Sequence, residues 1–115
     1  MSIQTIVRAI RNRERLFINY PPGRRLVEPH AIGYSKDGNI LVRLWQVSGA
    51  SASGERHDHW KLLRFDRLTS PPVSAFEVFD GPREDYKEDD KAMKGGIIAQ
   101  IELPDSNDSR MALLP

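Results

Sequence analysis

The feature that most constrains this chain is a tight-turn signal, Lys36-Asp37-Gly38-Asn39, set between two long stretches of extended character. Asp-Gly pairs take up the backbone angles of a two-residue hairpin turn at little cost, so the flanking stretches are predicted to pair antiparallel. Upstream runs Arg25 to Ile32, with Pro29 marking an edge or a bend. Downstream runs Ile40 to Val47, where Ile40, Val42 and Leu44 share one face and Leu41, Arg43, Trp45 and Val47 the other.

Further strands follow from the same period of two. Leu16, Ile18 and Tyr20 alternate with Phe17 and Asn19 before Pro21-Pro22-Gly23 turns the chain. Trp60 to Leu68 reads as a fourth strand, with Leu63 and Phe65 facing one way and Leu62, Arg64 and Asp66 the other. Val73–Phe79 and Ile97–Leu103 complete the set, whereas 80–96 is acidic, contains Gly and Pro, and is predicted irregular. The period changes only at the start. Ile3, Ile6, Val7 and Ile10 form one helical stripe, with Ser2 as N-cap, which predicts a helix over 3–13. At the same helical spacing Arg8, Arg11 and Arg15 fall together on a different face.

One helix and five or six short strands make a mainly β protein with a small, strongly bent sheet. Closure into a barrel is the usual way to remove open edges at this size. The 115 residues allow one domain, expected over 1–103 with its core in 3–80, followed by a flexible tail at 104–115. No apolar run reaches the roughly 20 residues of a membrane helix. Cysteine is absent, which excludes disulfides and thiolate metal sites and fits a cytoplasmic location.

Net charge is only +1, but it is unevenly spread. Residues 1–25 hold six arginines against one acid, and residues 77–108 hold ten acids against four basic residues. One end is therefore suited to phosphates and the other to repelling them.

Several segments resemble the WYL-domain family. They are AIRNRERLFINY (9–20), RLVEPHAIG (25–33), DGNILVRLWQVSG (37–49) and WKLLRFDRL (60–68), the last being the most specific. The Trp-Tyr-Leu triplet of the family falls on Ile40-Leu41-Val42, so that signature is missing. LWQVSGASASG (44–54), WK (60–61) and DKAMKGGIIAQI (90–101) look like a short stand-alone branch without a helix-turn-helix. The resemblance implies an Sm-like (SH3-like) β-barrel with an N-terminal helix. It also implies effector sensing or nucleic-acid binding in bacterial transcriptional or defence regulation.

Candidate site residues follow from residue chemistry and from that resemblance. Arg64 and Arg67 match the family's basic positions, and guanidinium forks bind phosphate or carboxylate. Arg43 and Trp45 share a strand face on which a base could stack. With Lys61 and a pocket-lining His30, they form the expected site for an anionic small molecule or a nucleic acid. Arg8, Arg11, Arg24 and Arg25 form a weaker nucleic-acid patch.

His30, His57, His59 and Asp58 are poorly spaced for a metal site, and no nucleophile elbow holds Ser48, Ser51 or Ser53. Neither an enzyme nor a cofactor is expected. The paired acids in 84–90 read as a solvated surface. The rival expectation is a protein-interaction adaptor that acts through strand edges or homodimerisation.

Overall fold

A computed structural model of the chain describes residues 1–51 and 59–103. The expected tail at 104–115 and residues 52–58, with Ser53, His57 and Asp58, lie outside the described residues. Helix α1 (Gln4–Asn12) leads into strands β1 (Glu14–Tyr20), β2 (Gly23–Tyr34), β3 (Ile40–Gly49) and β4 (His59–Arg64). A single 3₁₀ turn at Phe65–Arg67, β5 (Val73–Val78) and β6 (Gly96–Gln100) follow. The fourth strand thus ends earlier than the alternation predicts, because the chain tightens into the 3₁₀ turn at Phe65. Among the described residues no helix is long and apolar enough to cross a membrane.

Ser2 assists the helix from one position further out than expected. Ile3 is the N-cap residue, and the Ser2 hydroxyl accepts the Gln4 amide at 3.1 Å. Arg13 stops the helix in a left-handed conformation, its amide donating to Ala9, and β1 starts at the next residue. The predicted apolar stripe is buried: Ile6, Val7 and Ile10 meet Leu16, Ile18, Val27, Ile32, Val42 and Leu44 of the sheet.

The sheet is antiparallel, in the order β4-β3-β2-β1-β5, with β6 also paired to β2. β2 organises it. Its first half pairs with β1 (Leu16 opposite Val27) and its second half with β6 (Ile32 opposite Ala99), while β3 runs along the other side. Pro29 falls between the β1 and β6 pairings, where its missing N–H removes no ladder bond on that side. The expected bend is therefore a change of neighbours, with a register slip against β3 between Pro29 and Ala31.

β4 and β5 stand at the two ends and do not pair, so the described sheet is not closed into a barrel. It is strongly curled nonetheless. The Tyr20 hydroxyl on β1 accepts the Arg64 amide of β4 at 3.4 Å, although β2 and β3 separate those strands in the ladder. In a flat sheet the two strands would stand about 14 Å apart.

Two glycines sit at opposite extremes of constraint. Gly49 has φ of 106°, and an added Cβ would strike the Arg24 carbonyl oxygen and lie 2.7 Å from the Arg25 Cα. Gly38, in the predicted turn, has φ of 88° with open space around it. Gly49→Ala is expected to cost about 3 kcal/mol, from clash added to backbone strain. Gly38→Ala is expected to cost only about 1 kcal/mol, from conformation alone. Urea unfolding of both variants checks the ranking.

Candidate functional site

The register distributes the expected site over both faces of the sheet. Arg43 lies opposite Leu62, Trp45 opposite Trp60 and Leu41 opposite Arg64, which puts Arg43, Trp45 and Arg64 on one face. Lys61 lies opposite Leu44 and so falls on the core-facing side. The expected convergence of Lys61 with Arg43, Trp45 and Arg64 is therefore not made, because side chains at odd spacing along a strand point to opposite faces.

The first face is occupied by the chain itself. Residues 79–95 cross it as a strap without helix or strand, anchored at several points. Arg43 donates to both oxygens of Asp90, at 2.7 and 3.3 Å. Asp90 is held below its ordinary pKa despite burial, by Arg43 and by the Ala92 amide. The Arg83 guanidinium lies 5.2 Å above the Trp45 ring, and Trp60 meets that ring edge-on. Trp45 therefore offers no open stacking platform on that side. A cavity of about 370 Å³ remains under the strap. It is lined by Arg43, Lys87 and Lys91 but also by Asp85, Glu88, Asp89 and Asp90, so it does not favour an anion.

Glu28 and His30 hold the strap in place. Glu28, with no exposed side-chain surface, accepts from Arg83 at 2.7 and 2.9 Å and from Arg15 at 2.9 Å. Burial works against its charge, but the two arginines outweigh burial and lower its pKa. His30 is fully buried and packs against Trp60, Phe79 and Tyr86. Its Nε2 accepts the Arg83 amide at 3.1 Å, which requires the neutral ring with its proton on Nδ1, donated to the Glu28 carbonyl at 2.8 Å. Burial lowers the His30 pKa. His30 is thus an interior ring that holds the strap and does not line the open cavity.

The unneutralised cations are elsewhere. Arg25 faces inward on β2, opposite Ile18 of β1, and is only 2% exposed. It donates to the Gln46 side chain at 3.2 Å and to the Pro21 carbonyl at 2.6 Å, and its charge lies 4.9 Å over the Tyr20 ring. Among the described residues its Nε has no hydrogen-bond partner. Lys61 extends from β4 to the Ser51 hydroxyl at 3.0 Å. Burial and the nearby Arg25 charge both push the Lys61 ammonium below its ordinary pKa. Among the described residues neither cation has a carboxylate partner. Gln46 completes this end, its amide nitrogen donating to the carbonyls of Gly49 and Ala50.

The remaining arginines are on the surface. Arg64 is paired with Asp66 at 2.6 Å and touches Asn39, which leaves it partly neutralised. Arg67 is exposed in the 3₁₀ turn. Arg8 pairs with Glu14 at 3.5 Å, Arg11 is exposed at the helix end, and Arg24 lies 4.1 Å over the Phe17 ring. Arg25 is not part of a surface patch with them, because alternation along β2 turns it inward.

Sequence reasoning missed Glu28, Gln46, Tyr20, Arg83 and Asp90 as members of these networks. A charged or amide residue within an apolar strand was the available signal for Glu28 and Gln46. The partners contributed by the strap had none. Among the described residues no three metal-ligating side chains converge. No family model, curated protein or solved structure matches the chain.

Two outcomes follow from the buried pair. Glu28→Gln leaves Arg15 and Arg83 facing a neutral amide and is expected to cost about 3 kcal/mol, the lower end for a broken buried pair because both arginines stay part-exposed. The carboxylate's contribution is present above its ordinary pKa of 4.5 and is lost as pH falls through its lower folded value. His30 acts in a higher range. Its folded pKa lies below the ordinary 6.5, so the unfolded chain takes up that proton first. Stability is then lost as pH falls below 6.5, by at most about 1.4 kcal/mol per pH unit for one proton. Urea unfolding at a series of pH values should show a shallower slope below 6.5 in His30→Gln; an unchanged slope would contradict the assignment.

Proposed function

We propose that the chain is a small binding module for an anionic ligand bearing a phosphate or carboxylate group, such as a nucleotide or a short nucleic acid. The observation that carries this reading is the pairing of Arg25 with Lys61. Both lie at the Gly49–Ser51 end of β3, Arg25 opposite Gly49 and Lys61 bonded to Ser51; among the described residues the buried Arg25 Nε has no partner and no acid balances either cation. Uncompensated buried charge is costly, and an anion brought to Lys61 would relieve the repulsion at both groups. Lys61 makes the direct contact and Arg25 supplies field from behind it.

The likeness to WYL domains supports this reading, since it implies effector or nucleic-acid binding in transcriptional or defence regulation. On the same reading the sheet is an Sm-like (SH3-like) barrel left open between β4 and β5. The curl that brings Arg64 to Tyr20 supports that view, as does the direct passage from one end strand to the other through the 3₁₀ turn.

Titration with inorganic pyrophosphate and with a fluorescent oligothymidylate tests the proposal. Binding is expected to weaken as salt rises. It should fall at least about tenfold in Lys61→Ala, the loss of one charge-assisted hydrogen bond. Arg43→Ala should leave it unchanged. The absence of binding by either probe, or equal affinity in wild type and Lys61→Ala, would overturn the reading.

A further inference from the structure

The end strand β5 exposes more apolar surface than any other element. Val73 is 53% exposed, Val78 67% and Phe76 93%. The pairing with β1 explains how. Glu14 lies opposite Val78 and Leu16 opposite Ser74, so β5 carries extra residues between these two points and bulges outward at 75–77. Phe76 sits in that bulge with φ of 57°, a left-handed conformation unfavourable for an aromatic residue, its amide bonded to the Ser74 hydroxyl. The strand therefore holds a phenyl ring in water at a conformational cost, with nothing of the described chain covering it.

Charge says what could cover it. At the Val78 end the Phe79 amide donates to the Arg13 carbonyl, which places the end of α1, with exposed Arg11 and Arg13, beside the patch. At the other end Val73 lies opposite Phe17, and the Arg24 guanidinium rests on that ring. The single acid of β5, Glu77, is already bonded by Arg15. Among the described residues Arg11, Arg13 and Arg24 have no ion pair, so arginines flank both ends of the apolar strip, two of them against one exposed acid, Asp80, at the Val78 end.

We infer that the β5 edge, with Val73, Phe76 and Val78 exposed between these arginines, is a docking surface for an acidic protein segment with an apolar centre. A second copy of the chain fits poorly. Antiparallel edge-to-edge pairing would bring Arg11 and Arg13 of one copy to Arg24 of the other, and the bulge interrupts the ladder such pairing needs. An acidic segment meets both ends with opposite charge and needs only side-chain contacts to Phe76. The surface is separate from the Arg25–Lys61 end, since Arg24 and Arg25 point to opposite faces of β2.

The test uses two synthetic peptides with the same Leu-Phe-Val centre, one flanked by glutamates and one by lysines, read by fluorescence anisotropy on the full chain. The glutamate peptide is expected to bind and the lysine peptide not to. Phe76→Asn is the informative variant, because asparagine accepts the left-handed conformation. It should melt no lower than wild type and yet lose at least about tenfold in affinity for the glutamate peptide. Arg11→Ala with Arg13→Ala should weaken binding at low salt, whereas Lys61→Ala should leave it unchanged. Failure of the glutamate peptide to bind, equal binding of both peptides, or unchanged affinity in Phe76→Asn would overturn the inference. So would a dimer by light scattering that Phe76→Asn dissolves, since the surface would then belong to a second copy.

Discussion

The Glu28 carboxylate, without exposed side-chain surface, lies on the central strand between Arg15 of β1 and Arg83 of the strap. A carboxylate in that position is tolerable only while both guanidiniums stay in place. Arg83 brings its backbone with it, and its amide is the donor that His30 accepts. The strap then delivers Tyr86 to the aromatic group around His30 and Asp90 to Arg43. One buried charge thus determines which face of the sheet is covered, and with it that Arg43 and Trp45 lie beneath the strap.

The opposite side of β2 follows another logic. Arg25 is buried and, among the described residues, is met by amide, carbonyl and ring, not by an acid. The contrast with Glu28 is instructive because the two residues stand three positions apart on one strand. Each is a charge taken out of water. Glu28 is neutralised by two arginines, whereas among the described residues no acid pairs with Arg25 or Lys61. That difference is what the proposed anion site rests on.

Much of the architecture was legible locally. The turn at Lys36–Asn39, the helical stripe of Ile6, Val7 and Ile10, and the alternation in β1 and β3 each report a backbone period that burial enforces. Pro29 was legible only as an interruption, which the structure realises as a change of neighbours on one side of β2. The β4 boundary was less so: alternation continues through Phe65, and only the 3₁₀ turn ends the strand there. The candidate site was legible as a list of cations but not as an arrangement.

The sequence by itself determined a mainly β chain with one N-terminal amphipathic helix, because period and turn chemistry are properties of neighbouring residues. It also determined that the basic residues crowd the first part of the chain and the acids the last. Only the tertiary structure decided which of those charges cancel. Arg43 meets Asp90 across 47 positions and Glu28 meets Arg83 across 55, contacts made by the path of the strap. Arg25 and Lys61, 36 positions apart, are brought to the same end of β3 by the strand pairing and the Ser51 contact, with no acid of the described chain carried to them. Long-range pairing of charges depends on topology, and no local pattern encodes it.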